Sequence, residues 1–357
     1  MTRPGKPYSA KTNTSSARRL TTVPAQAHPR IAFIGAGRVG RSLACAFQRA
    51  GVPVVGYVAR DQKSAPEDTA GDGLLAGIPR LSLAEAALQA DWLWLTVPDD
   101  HIAHVADTIA WRDHHVAVHC SGATELTAMR SAQNAGAALV GFHPLQIFSQ
   151  PRIAVDTLPG SRVGIEIARA PSAPAQRGAQ EDAQTTPLQR QATALAQAIG
   201  LTPLFIRPGQ RALYHAGAGY AASALVSMLA EAANLWALAG IESEDMLDAL
   251  LPLASKTIAA AEAAAATNAT NATQSAPAAP LGHAIAGPVA RADIGVIQRH
   301  LQALETHGLD VALYRSVAEK QVALLGQAGA LTTTQLDAVK ATLAVYGRVR
   351  SAPVPTA

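Results

Sequence analysis

Cysteine is scarce: Cys45 and Cys120 are the only two in 357 residues. Two thiols make no disulfide framework, so the secreted disulfide-stapled classes are excluded and a reducing, cytoplasmic setting is expected. Charge is also sparse, at 15% of residues with a net charge of +3. The longest basic run is Arg18-Arg19, so nucleic acid is excluded as a partner. No uninterrupted apolar run reaches about 18 residues, and no membrane span is expected. A metal set of His119, Cys120 and His143 lacks chelating spacing, so no metal is expected either.

What the chain has is core material. Apolar residues make up 49%, much of it alanine, which favours helix. The length suits two domains. The first 28 residues are rich in Ser and Thr, carry Arg and Lys, and contain no acid. That composition fits a transit peptide or a disordered extension, and the lack of an Arg-bearing amphipathic helix favours the extension.

From residue 29 to 207 strands alternate with helices. The apolar runs 30–35, 52–59, 91–97, 115–120, 137–142, 161–167 and 201–206 read as strands. Helical spacing falls at 38–50, 81–88, 99–110, 123–136 and 187–199, with Ser82 and Glu85 placed as a capping box, and 168–186 reads as a polar loop. This alternation predicts an α/β fold of Rossmann type, with a mainly parallel sheet. From 208 to 350 no strand is evident. One long apolar stretch, 210–239, reads as a buried central helix, followed by helices at 243–263, 289–305, 310–327 and 333–346. The low-complexity stretch 263–281 reads as a loop.

The strongest motif follows the first strand. Gly35, Gly37 and Gly40, with Ala36, Arg38 and Val39 between them, form G-x-G-x-x-G between a strand and a helix. The first glycine permits the tight turn, the second admits a pyrophosphate to the backbone, and the third lets helix pack on strand. The helix N-terminus then presents free N–H groups to the phosphates. At the end of the second strand Arg60 stands where NAD-binding chains usually place an acid. A guanidinium there would clamp a 2′-phosphate, so NADP is the expected cofactor in preference to NAD.

In an open parallel sheet, ligands bind beyond the carboxyl ends of the strands. Those ends carry Val97 and Pro98, then His119, Ser121 and Gly122, then His143 in "GFHPLQIF". Val97 and Pro98 suit a nicotinamide ring, and His119, Ser121 and Gly122 adjoin it. His143 and, on the following long helix, His215 are the candidate proton donors. Arg211 and Arg291 are candidate holders of a substrate carboxylate. A buried structural histidine remains the alternative reading for His119 and His215.

Together, "IAFIGAGRVG", "TVPDDHI", "HCSGA", "GFHPLQIF", "ALYHAGAGYAAS" and "GPVARADIGVIQRHLQAL" resemble the Rossmann-like proteins with a domain of unknown function 2520, over roughly residues 30–346. These are relatives of pyrroline-5-carboxylate reductase, ketopantoate reductase and 6-phosphogluconate dehydrogenase. The resemblance implies an NAD(P)-binding domain, an all-helical 6-phosphogluconate-dehydrogenase-like domain that dimerises, and oxidoreductase activity. The chain departs from the family pattern where Arg211 replaces a lysine, Ser223 an asparagine, and Ala292 the glycine of "RGD". The expectation is an NADP-dependent oxidoreductase acting on a small carbonyl, hydroxy or imine compound, working as a homodimer through its helical domain. The alternative is an NADP-binding sensor or partner subunit without turnover.

Overall fold

The computed structural model describes residues 28–59, 72–168, 186–269 and 279–346. Arg60, nearly all of the N-terminal extension, and most of the polar loop at 168–186 lie outside the described residues. The chain forms two compact units, Met1–Ala222 and Ser223–Ala357. The division falls beyond the compositional change at Pro208, because one further helix packs on the sheet.

The first unit is built on seven strands: β1 Ile31–Ile34, β2 Val54–Val58, β3 Trp92–Leu95, β4 Val116–His119, β5 Ala138–Pro144, β6 Arg162–Ala168 and β7 Thr202–Phe205. Their order is β2-β1-β3-β4-β5-β6-β7. All neighbours are parallel except β5 and β6. Both faces of the central strands are apolar, as a parallel sheet covered on both sides requires. In β3, Trp92 and Trp94 point to one core and Leu93 and Leu95 to the other, following the period of two. The Trp94 ring meets Phe47 at 5.2 Å and Phe142 at 4.8 Å, both edge-on.

The helices of this unit are α1 Arg38–Arg49, α2 Leu83–Gln89, α3 Ile102–Thr108, α4 Arg130–Asn134, α5 Pro151–Thr157, α6 Pro187–Ala198 and α7 Arg211–Ala221. The capping box at α2 forms as expected: Ser82 N–H donates to Glu85 Oε2 at 2.8 Å, and Glu85 N–H to Ser82 Oγ at 3.2 Å. Two helices are shorter than their sequence pattern, since 3-10 turns at Asp99–His101 and Leu126–Met129 replace their first turns.

The second unit contains α8 Ser223–Leu238, α9 Ser243–Ala269, α10 Ile294–Thr306, α11 Ala312–Gln327 and α12 Thr333–Val345. Its core joins Ile297, Leu301, Ala318, Val322, Leu325, Val339 and Leu343. Three expectations need correction. The stretch 210–239 is two helices, with a break at Ala222 (φ −112°, ψ −87°) after a segment weakened by Gly217 and Gly219. It is also not a buried central helix: α8 has no buried residue, and Val226 is 66% exposed. The stretch 263–281 is not all loop, since α9 runs to Ala269 and a 3-10 turn spans Ala279–Ala284; residues 270–278 lie outside the described residues. By length and mean hydropathy alone, Arg211–Leu238, taken across the break at Ala222, and Glu244–Thr267 are each long and apolar enough to cross a membrane, although neither holds an uninterrupted apolar run of about 18 residues.

Ala292 lies in the left-handed region with φ 50°. Its Cβ makes this conformation unfavourable, whereas glycine adopts it freely. The neighbouring Asp293 caps α10 by accepting from Val296 N–H at 3.1 Å. Ala292→Gly is therefore expected to raise stability by about 1 kcal/mol, read from the midpoint of denaturant unfolding. A loss of stability would show that the strain is absent.

Candidate functional site

The carboxyl edge of the sheet carries two structures, a glycine loop and a histidine cluster. The loop begins where β1 ends. Gly35 has φ 112°, and a Cβ on it would lie 2.6 Å from the Thr96 carbonyl oxygen. A Cβ on Gly40 would overlap the Gly35 carbonyl. Thr96 Oγ1 donates to that carbonyl at 2.7 Å and ties the ends of β1 and β3 together. Gly37, the N-cap of α1, has open space, its nearest neighbour being the Thr96 oxygen at 3.9 Å. The first and third glycines thus serve backbone packing, and the second leaves a gap at a helix N-terminus with no acid in its first turn. The strand order reverses here, with β2 on one side of β1 and β3 on the other, which opens a crevice. Val97, half-buried beside Gly35, and the exposed Pro98 follow β3 into it. A pyrophosphate fits this loop.

The second structure depends on the register of β5 and β6. Gly141 lies opposite Glu166, and His143 opposite Gly164, two residues along on the same face. Each cross-strand pair combines one glycine with one polar side chain. Onto these pairs α7 lowers Arg211 and Tyr214, three residues apart and so neighbours on one helical face. A Cβ on Gly141 would overlap the Arg211 guanidinium, and one on Gly164 would overlap the Tyr214 hydroxyl. His215, the next residue, covers Gly122 after β4, where a Cβ would overlap its ring. Three glycines on three segments therefore make room for three side chains of one helix.

Hydrogen bonds complete the arrangement. Arg211 is fully buried; Nη1 lies 3.5 Å from Glu166 Oε2, and Nη2 donates to the Ser121 carbonyl. Tyr214 Oη lies 3.1 Å from His143 Nδ1. The His143 and His215 rings meet edge-on with centroids 5.5 Å apart. Ser121 Oγ donates to Asp99 Oδ2 at 2.6 Å and accepts from Thr124 N–H at 2.9 Å.

Burial controls the protonation states. It pushes His143 down to about 4, with the nearby His215 and Arg211 charges acting the same way and Asp99 opposing them. His119, on β4 beside Gly141, is pushed down to about 3 by burial, Arg211 and His143. Burial raises the Glu166 carboxyl, against the pull of Arg211, and raises the Tyr214 phenol. At neutral pH both the His119 and His143 rings are therefore neutral, and the phenol keeps its proton.

Several candidates from the sequence meet here and others do not. His143 and His215 come together, His143 partly buried and His215 exposed. His143 is shifted far from the near-neutral titration that would make it an easily protonated donor. Arg211 is not a free clamp for a substrate carboxylate, because its guanidinium is enclosed and held by Glu166 and Ser121. His119 is fully buried, with neither ring nitrogen hydrogen-bonded among the described residues, so it sits beneath the site and not at its surface. Ser121 is engaged with Asp99, and Gly122 floors the His215 ring. Arg291 is exposed in the second unit. The sequence reading passed over Tyr214, Glu166, Asp99 and Thr96. Glu166 had a visible signal, a lone acid inside the apolar strand "VGIEI". Tyr214 had only its position beside His215.

Two family models match the chain. A Rossmann-like domain model matches residues 16–144, and a model described as a domain of unknown function, DUF2520, matches residues 181–321. Among solved structures, an oxidoreductase so assigned from Pseudomonas putida is 18% identical with a TM-score of 0.58, over 87% of this chain and 98% of that one. A Bacteroides fragilis protein assigned as an NADP oxidoreductase is 22% identical with a TM-score of 0.55, over 82% and 98%. An imine reductase variant from Myxococcus stipitatus, in complex with NAD+, is 15% identical with a TM-score of 0.53, over 87% and 99%. At these identities the likeness is one of fold. No curated protein is recognisably similar in sequence.

The depressed histidines predict a pH dependence of stability. A histidine titrating near 6.5 when unfolded and near 3 or 4 when folded takes up its proton first in the unfolded chain. Its contribution is fully present above about pH 6.5 and is lost as pH falls toward 4. The melting temperature should therefore fall between pH 6.5 and 4.5, and His119→Phe should flatten that slope. Glu166, whose pKa is raised, works in the opposite direction, so the difference between the two proteins isolates His119. Identical slopes would contradict the assignment.

Proposed function

Because the chain joins a Rossmann-like domain to a domain of unknown function 2520, we propose that it is an NADP-dependent oxidoreductase that reduces a small carbonyl or imine compound, or oxidises the corresponding hydroxy or amino compound. The observation that carries this reading is the meeting of the His143 and His215 rings over Gly122, on the same carboxyl edge as the glycine loop. Gly37 and the N-terminus of α1 would hold the pyrophosphate, with Val97 and Pro98 against the nicotinamide. When bound, the dinucleotide supplies or accepts the hydride. The chain's own residues must supply the proton. His215, open to solvent, can exchange it, while His143, held neutral, can donate a hydrogen bond to a carbonyl or imine. The solved structures of this fold assigned as an NADP oxidoreductase or named as an imine reductase support the reaction class.

The NADP preference rests on Arg60, which follows β2 in sequence and would pair with a 2′-phosphate. Calorimetric titration should show tighter binding of NADPH than NADH, with Arg60→Ala losing about 1.5–3 kcal/mol for NADPH and little for NADH. Equal affinities in the unaltered protein would contradict the preference. A screen of carbonyl and imine compounds for NADPH oxidation tests turnover. Binding with no turnover across the screen would favour a sensor or partner subunit.

We further propose a homodimer assembled through the helical unit. The apolar residues Val226, Leu238, Leu247, Leu251, Leu253 and Ile258 on α8 and α9 are exposed in the single chain. So much exposed apolar surface marks an interaction site, and a second copy is the simplest cover. Light scattering at micromolar concentration should give twice the chain mass; the mass of one chain would refute the assembly.

A further inference from the structure

The His143–Tyr214 pair has a direction that bears on the chemistry. His143 makes one ring hydrogen bond among the described residues, from Nδ1 to Tyr214 Oη at 3.1 Å. The opposite nitrogen, Nε2, approaches Gly122, 2.9 Å from the place a Cβ there would occupy, beside the His215 ring that covers the same glycine. The rings of His143 and Tyr214 are nearly perpendicular, with centroids 5.6 Å apart. Which atom carries the bridging proton decides what Nε2 offers on its far side.

The surroundings of the phenol decide it. The Tyr214 hydroxyl packs on Gly164, where a Cβ would overlap it. Its own proton has two acceptors in reach: His143 Nδ1 at 3.1 Å and the His143 carbonyl oxygen at 3.5 Å. The second distance is too long for a strong bond. If Nδ1 carried the ring proton, the half-buried phenol would be left with only that weak acceptor, a costly loss for a shielded donor. If Tyr214 donates to Nδ1, both groups are satisfied and the ring proton must sit on Nε2.

We propose that Tyr214 is a positioning residue that fixes His143 as the neutral Nε2–H tautomer, which presents a hydrogen-bond donor beside the His215 ring for a carbonyl oxygen or imine nitrogen. This rests on the reductase reading for its substrate, but not for its test. Should the Nε2 proton pass to substrate nitrogen or alkoxide, His143 is left with an unprotonated Nε2, and the phenol proton can pass to Nδ1. Tyr214 is then a phenolate until solvent returns one proton. One proton leaves and one is restored, with no redox change in the protein.

The experiment uses the full chain with 15N-labelled histidine. Long-range proton–nitrogen correlation spectra at pH 7.5 report which ring nitrogen is protonated, and His143→Gln assigns the signals by their loss. The expected result is an Nε2–H tautomer in the unaltered protein and a shift toward Nδ1–H in Tyr214→Phe. An Nδ1–H tautomer in the unaltered protein overturns the proposal, as does an unchanged tautomer in folded Tyr214→Phe. If that variant does not fold, the unaltered spectrum alone decides. Where a substrate has been found, Tyr214→Phe should lower kcat on the order of 10²-fold with NADPH affinity unchanged. Absence of turnover, by contrast, bears on the reductase reading and leaves the tautomer result standing.

Discussion

The buried guanidinium of Arg211 is the constraint on which the histidine cluster depends. It lies over Gly141, beside Glu166 and the Ser121 carbonyl, with no exposure to solvent. Such a charge is tolerated only when paired, and removing its partner would leave it uncompensated in a dry site. Once Arg211 is seated, the helical repeat leaves little freedom to the next turn. Tyr214 falls on Gly164 and His143, and His215 on Gly122. The chemistry of the site thus follows from one ion pair and one helix, set on a sheet whose glycines are spaced to receive them.

Burial sets the electrostatics, and the Arg211 charge adds to it: both hold His119 and His143 unprotonated at neutral pH. The result is a site with neutral rings and a neutral phenol at ordinary pH, in which proton position is governed by hydrogen-bond direction. His215 differs by being open to solvent, so the two histidines over Gly122 are chemically unlike although they are adjacent. Under the proposed reductase reading the shielded ring would donate and the ring in contact with water would exchange its proton with solvent.

The glycine loop was legible in the sequence, and the histidine cluster only in part. Gly35, Gly37 and Gly40 carry a local pattern whose mechanical roles are fixed by strand, turn and helix, so the backbone geometry of the loop follows from order alone. The alternating strands and the capping box at Ser82 were legible for the same reason. Gly122, Gly141 and Gly164 have no such local signature, because each is defined by a side chain from a helix that follows much later. Tyr214 was hidden behind His215, and Arg211 was taken for a ligand clamp, since its charge gave no sign of Glu166 across the sheet. The stretch 210–239 was misread because an apolar composition on all sides resembles a core helix, whereas α8 leaves that surface uncovered within the chain.

The most direct test is a double-mutant cycle on Arg211→Met and Glu166→Leu, read by denaturant unfolding. Each single change leaves a polar or charged partner buried without its counterpart and should cost about 3–5 kcal/mol. The double variant should lose clearly less than the sum, with a coupling of about 1–3 kcal/mol. Strict additivity, or single losses within about 0.5 kcal/mol of zero, would contradict the claim that this pair seats the helix and holds the site together.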